Sequence, residues 1–349
     1  LVSFISDRYM QCYIILFLFI SILGCKKESD DKKDFLNLLT LGLYARSCAG
    51  QNAFPSSGTV GSLTRLQIRP SQTSSGISNY DQPHYVFPPQ SGVTNKNILS
   101  VFYPGTGSSP CEVNTFLQHG ATRGYHVVGL SYPNGEAVNT VCNQGAAKSE
   151  TNCFENLRKE VLTGVDLSPY VSVDISNSIE GRLLSLIQYL IRVRPSEGWD
   201  QFLTGNQINW SLVYVGGHSQ GSGHAALQGK NRTLGRVSIY SGVSDYSLQN
   251  STLPSWMGGT QNTPGTSYYG LIHENDSIAN FSGNSNQVTN AWLNQFSMTG
   301  PITNTNVGFP FNNSHSLVTS VCNGMGAFGL HICPMTSGFQ SIWNYISFP

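Results

Sequence analysis

The chain has 349 residues, 39% of them hydrophobic and 11% aromatic, which is enough to enclose a sizeable core and argues against global disorder. Only 11% are charged, and 19 basic residues balance 19 acidic ones, so no net field gathers phosphates and no nucleic-acid partner is expected. A surface supplied by Ser, Thr, Asn, Gln and Gly fits an exported protein, and the length suits one large α/β domain with insertions.

Residues 1–25 differ from the rest. Tyr13 to Leu23 is almost wholly apolar, and Gly24 precedes Cys25. The run is shorter than the roughly 20 residues of a spanning helix. It resembles a bacterial lipoprotein signal with its lipobox. That resemblance implies cleavage before Cys25, acylation of this cysteine, and an exported lipoprotein held on a membrane, in the periplasm or at the cell surface. A plain secretory signal is the alternative. Residues 26–60, a charged stretch followed by a small apolar segment and a Ser/Gly/Asn-rich run, read as a tether, which leaves 61–349 as the folded domain.

Apart from Cys12 in the signal and Cys25, the cysteines are Cys48, Cys111, Cys142, Cys153, Cys322 and Cys333. Their even number permits complete pairing in an oxidising compartment. Proximity suggests Cys142 with Cys153 and Cys322 with Cys333, leaving Cys48 with Cys111. No Cys-x-x-Cys spacing marks a metal site.

Leu63 to Arg69 and Tyr80 to Phe87, each bounded by Pro, Gly or Ser, predict two strands able to form an antiparallel edge. Ile98 to Tyr103 predicts a strand stopped by Pro104-Gly105-Thr106-Gly107, Cys111 to Arg123 a helix, and Tyr125 to Leu130 the next strand. Strand, helix and strand in succession imply a parallel pair with a right-handed crossover. The polar segment 133–174 reads as an insertion, a lid or cap over the active-site end of the sheet. Ile179, Leu183, Leu184, Ile187, Leu190 and Ile191 form one apolar stripe, a core-facing helix ended by Pro195. Trp210 to Val215 predicts a strand and Ser222 to Gln228 a helix. Further strands are expected at Gly235 to Tyr240, Tyr268 to His273 and Ser316 to Val321, with a last helix from Gly338 to Ile346.

Between one strand and its following helix lies Gly217-His218-Ser219-Gln220-Gly221. A serine hydroxyl is a weak nucleophile. It must be presented in the open, beside a base and beside donors for a tetrahedral oxyanion. Gly-x-Ser-x-Gly meets the first requirement, because glycines two residues either side let neighbouring backbone approach a tight strand-to-helix turn. An ordinary strand-to-helix turn is the plainer reading of the same five residues.

Gly216 to Ala226 resembles the nucleophile elbow of the α/β-hydrolase superfamily. The likeness runs from about Leu63 to the C-terminus through Val101 to Gly107, Gly198-Trp199-Asp200 and Tyr269 to Asp276, and it is greatest to poorly characterised exported bacterial members. The resemblance implies a mostly parallel sheet with helices on both faces and a chain order of Ser, then acid, then His. Asp276, in a polar turn after the strand Tyr268 to His273, is the expected acid, ahead of Glu274 and Asp245. Of the later histidines, His315 precedes its strand and so falls at the wrong end of a parallel sheet. His331 follows that strand, in a loop before the last helix, and is the expected base. A Cys322–Cys333 bridge would close the loop carrying it. His218 and His224 flank the serine too closely to act as its base and read as packing residues; as a zinc pair they lack a further ligand.

The resemblance places the oxyanion donors at the amides of Gln220 and of the Pro104–Gly107 turn, Thr106 by preference. The implied function is acyl transfer by a Ser219, His331 and Asp276 triad on carboxylic esters, small or lipid, with no metal or organic cofactor. Peptidase, lipase and acyltransferase chemistry stays open. A surface lipoprotein using this fold as a binding module is the alternative from a different class.

Overall fold

The computed structural model describes residues 57–60, 63–279 and 285–349. The expected signal at 1–25, Cys25, Cys48 and most of the expected tether lie outside the described residues.

The last four tether residues are a strand instead, β1 (Ser57–Val60), paired antiparallel with β2 (Leu63–Ile68). An edge strand is held by backbone hydrogen bonds, so the small side chains of Ser57-Gly58-Thr59 gave no hydrophobic sign of it. β2 pairs antiparallel with β3 (His84–Phe87), and β3 antiparallel with β5 (His126–Gly129). From β5 the sheet is parallel. It continues through β4 (Leu99–Tyr103), β6 (Val213–His218), β7 (Arg236–Tyr240), β8 (Tyr268–His273), β10 (Ser316–Thr319) and β9 (Thr303–Asn304). Ten strands thus form one sheet among the described residues. An antiparallel edge leads into a parallel body, with β4 crossing back between β5 and β6. This is the α/β-hydrolase fold expected from the sequence.

Alternate residues of the parallel strands enter two separate cores. Leu99, Val101 and Tyr103 of β4 pack on one face and Phe102 on the other; Val128 and Val127 of β5 divide the same way. On the first face lie Leu183, Leu186, Ile187 and Leu190 of the helix predicted by its apolar stripe (Ile179–Val193). Ser178 caps that helix by accepting a hydrogen bond from the Gly181 amide at 3.0 Å. The second face is closed by Phe116 and Leu117 of helix α1 (Asn114–Thr122) and by Trp343 and Ile346 of the C-terminal helix (Gln340–Ile346).

Several predicted boundaries shift, and the strand expected from Tyr80 starts only at His84. Trp210–Leu212 is a single helical turn, and the strand starts at Val213 and runs on through both glycines to His218. The polar segment 133–174 also contains a helix that composition concealed, α2 (Cys153–Thr163), which buries Phe154, Leu157, Val161 and Leu162 in the first core. The helix predicted by the apolar stripe is therefore α3 (Ile179–Val193), and that after the serine motif is α4 (Gln220–Asn231). Helix α5 (Ser285–Phe296), not foreseen, adds Trp292 and Phe296.

Cys142 is joined to Cys153, and Cys322 to Cys333, as proximity suggested. Cys111 is also disulfide-bonded, and the partner expected for it, Cys48, lies outside the described residues.

Candidate active site

Strand β6 occupies the middle of the sheet, and α4 begins one residue after it ends. Ser219 is that single residue, with φ 54° and ψ −122°. Such an angle is costly for a side-chain-bearing residue and persists only where the surroundings impose it. Here the Ser219 amide donates to the Tyr240 carbonyl at 2.9 Å and the Ser222 amide to the Ser219 carbonyl at 3.0 Å. The flanking glycines are required by contact. A Cβ on Gly221 would lie 2.0 Å from the Tyr103 carbonyl oxygen, and one on Gly217 would lie 2.2 Å from the Gly221 backbone. The serine is thereby raised at the carboxyl end of the sheet and at the N-terminus of α4, where the helix dipole favours negative charge.

Asp276 sits in the turn after β8, wholly buried, and accepts hydrogen bonds from the Ile278 and Ala279 amides at 3.0 Å each. His331 Nδ1 lies 2.8 Å from its other carboxylate oxygen. Burial raises the Asp276 pKa, but the His331 imidazole, its hydrogen bond and the two amides outweigh that and hold the carboxyl below its ordinary value. A carboxylate accepts, so Nδ1 carries the proton, and the Nε2 lone pair is left to act as a base.

His331 is not in a loop, as the sequence suggested. It lies in the last turn of a six-residue helix, α6 (Ala327–Ile332). A helix this short with a glycine inside carries no readable apolar period. Its carbonyl is fixed from two sides, by Ser241 Oγ at 2.7 Å and by His218 Nε2 at 3.0 Å. Since a carbonyl only accepts, His218 Nε2 is protonated and its ring is the donor. The His218 and His331 rings stand 4.7 Å apart, so the residue preceding Ser219 touches the expected base directly.

Burial, reinforced by the neighbouring His331, pushes the His218 pKa down to about 3. His84 and His224 are likewise held neutral, each by burial and then by a nearby arginine. The unfolded chain takes up protons on these rings below their ordinary 6.5, whereas the fold does not. Stability is therefore complete above that value and declines as pH falls beneath it, by about 1.4 kcal/mol per pH unit for each ring still neutral in the fold. Thermal melts should show Tm dropping already between about pH 6.5 and pH 5, before most carboxylates titrate. A Tm flat over that interval would contradict the assignment of neutral interior histidines.

The two residues expected to supply oxyanion donors are brought together. Thr106 Oγ1 donates to Gln220 Oε1 at 2.9 Å, and the same oxygen accepts the Val138 amide at 3.1 Å. In the turn itself, a Cβ on Gly105 would stand 3.1 Å from Ser219 Cβ. Two of the remaining alternatives are engaged elsewhere. Asp245 is paired with Arg158 of α2, with Nε to Oδ2 at 2.7 Å, and also accepts from Trp256 Nε1 at 3.0 Å. His315 stacks on Tyr269 with ring centroids 3.7 Å apart, at the start of β10 and so at the opposite end of the sheet. The Glu274 amide continues the sheet hydrogen bonding to Thr319 at 2.9 Å, while Asp276 is the acid joined to His331. His224 is fully buried with its ring 5.5 Å from that of Tyr132, in keeping with a packing role.

Sequence reasoning did not single out Arg158, Asn134 or Ser241. None lies in a motif, and each acts through a backbone carbonyl or a buried carboxylate contributed by a distant segment.

No family model and no curated protein sequence matches the chain. Among solved structures it is similar to esterase B from Lactobacillus rhamnosis, inhibited by a tributyrin phosphonate, at 11% identity over 88% of this chain and 89% of that one, with a TM-score of 0.46. It is similar to an S-formylglutathione hydrolase from Agrobacterium tumefaciens at 13% identity, covering 68% of this chain and 85% of that one, TM-score 0.42. A bacterial heroin esterase matches at 11% identity over 80% of each chain, TM-score 0.41.

Proposed function

We propose that the protein is a serine hydrolase that cleaves carboxylic esters by two-step acyl transfer through Ser219, His331 and Asp276. The observation that carries this reading is the conjunction of a serine held at φ 54° between β6 and α4 with a histidine whose Nδ1 is bound to a buried carboxylate. His331 Nε2 takes the Ser219 proton as the hydroxyl oxygen attacks the ester carbonyl. The resulting oxyanion is received by the Gln220 and Thr106 amides, and the protonated imidazole then gives its proton to the departing alcohol. Water, deprotonated by the same nitrogen, attacks the acyl enzyme and restores the serine.

A fluorophosphonate probe together with p-nitrophenyl esters of increasing chain length tests the proposal. The folded wild type should be labelled and should turn over short esters, while a Ser219→Ala control should do neither. Equal labelling of wild type and control would sink the enzyme reading and leave the binding-module alternative.

Asp276→Asn should fold but lose about 10³- to 10⁴-fold in kcat, because an amide in that place can present an N–H and turn the imidazole to the wrong tautomer. Kinetics on p-nitrophenyl acetate would check this, and a loss below about tenfold would remove Asp276 from the mechanism.

We also propose that the protein is exported and anchored through an acylated Cys25. Disulfides at Cys142–Cys153 and Cys322–Cys333 support an oxidising compartment. Cys25→Ser should release the protein from the membrane fraction, and an unmodified Cys25 in the mass of the mature protein would refute the anchor.

A further inference from the structure

The Pro104–Gly107 turn is held in an unusual way. Side chains of the segment following β5 fix two of its carbonyls. Tyr132 Oη donates to the Pro104 carbonyl at 2.7 Å. Asn134 Nδ2 donates to the Gly105 carbonyl at 2.7 Å and to the Ser108 carbonyl at 2.8 Å, and the Asn134 carbonyl accepts the Gly107 amide at 3.0 Å. The Ser108 amide turns back onto the Gly105 carbonyl at 3.1 Å. Both Tyr132 and Asn134 are buried.

Two consequences follow from peptide geometry. The Gly107 and Ser108 amides are already committed, which takes them out of contention as oxyanion donors. A trans peptide points its carbonyl and its N–H in opposite directions. With the Gly105 carbonyl drawn onto Asn134, the Thr106 N–H of the same peptide is turned away from Asn134, on a turn where a Cβ added to Gly105 would lie 3.1 Å from Ser219 Cβ. The Thr106 side chain is held separately by Gln220, so the residue is fixed at both its peptide and its hydroxyl.

We infer that Asn134 is a positioning residue that sets the direction of the Thr106 amide and so preorganises one arm of the oxyanion hole, with Tyr132 assisting through the adjacent peptide. This rests on the hydrolase reading above. The residue type is specific: serving two carbonyls requires an NH₂ group, and an ionised Asp would set acceptor against acceptor. Such a device acts on the transition state, because oxyanion donors contribute little to holding the ground-state ester.

Asn134→Ala is expected to lower kcat on p-nitrophenyl acetate about tenfold to a hundredfold with KM within about twofold, and to weaken inhibition by phenylboronic acid, which forms a tetrahedral adduct on serine, by a similar factor. Tyr132→Phe keeps the ring in the core and should show the same signature at a few-fold. A folded Asn134→Ala protein with kcat within about twofold of wild type, or one that loses kcat while boronate affinity stays unchanged, overturns the inference. If Asn134→Ala does not fold, Tyr132→Phe decides, and unchanged kcat and boronate inhibition overturn it. Absence of labelling and turnover in the wild type would bring down the hydrolase reading and this inference together, whereas the variant outcomes bring down this inference alone.

Discussion

Alanine at Ser219, alanine at His331 and the double substitution are expected to lower kcat/KM toward esters by about the same factor, roughly 10⁴-fold or more. The equality is the diagnostic part. A serine without its base is hardly nucleophilic, and a base without its serine has nothing to activate, so removing the second partner after the first costs almost nothing further. Independent contributions would instead multiply. Asp276 should depart from that equality, since in the proposed mechanism it orients and stabilises the imidazole through Nδ1 and does not exchange a proton with substrate. The check is a steady-state comparison of the three variants on one ester, with circular dichroism to confirm folding. Losses that multiply would contradict a serine and a histidine acting as one unit.

Arg158→Ala should cost about 3–5 kcal/mol of stability. Arg158 and Asp245 are both in the interior, at 3% and 0% exposure. The arginine meets the carboxylate through Nε and a second nitrogen, and sends Nη1 to the Gln220 carbonyl at 3.1 Å. Removing it leaves a buried carboxylate with Trp256 Nε1 as a donor and no countercharge from this partner. The cost arises from that stranded charge and not from loss of a strongly favourable pair. Replacing both members by apolar residues, as in Arg158→Met with Asp245→Leu, should therefore restore most of the stability. Urea denaturation of the single and double variants measures the difference. A double variant as unstable as Arg158→Ala would show that the pair itself is strongly stabilising. Because Arg158 also holds the carbonyl of Gln220, the residue after Ser219, the double variant should recover stability more fully than activity.

The sheet was legible because its parallel strands are buried on both faces and read as largely apolar runs, such as Leu99 to Tyr103 and Tyr268 to His273. The glycine-flanked serine was legible because a tight turn excludes other residues at fixed offsets, as the contacts at Gly217 and Gly221 bear out. The acid expectation came from the chain order and turn position that the resemblance implies, and the base from that order together with sheet polarity, which separates His331 from His315 without knowledge of any distance. Helix α2 was hidden by its own chemistry: Arg158 and Glu160 are buried, so a core-facing helix presented the composition of a surface loop. Glu160 is satisfied by the amides of Leu167, Ser168 and Val173, partners that no sequence period advertises. Asn134 escaped notice for the same reason, since its significance lies in carbonyls of a turn some thirty residues earlier.

The Cys322–Cys333 bond encloses helix α6 and little else. Six residues cannot sustain a helix alone, so the frame that carries His331 is built from a covalent clasp and the two hydrogen bonds to its carbonyl. Cys333 is itself buried in the second core, and Cys322 packs against it. A chain produced in a reducing cytosol would lack this clasp and the Cys142–Cys153 bond together, so its imidazole would be poorly placed and its melting curve lowered. For this protein purity is a weak certificate of a competent sample, and a count of titratable thiols is the more informative test of whether a preparation is ready to be assayed.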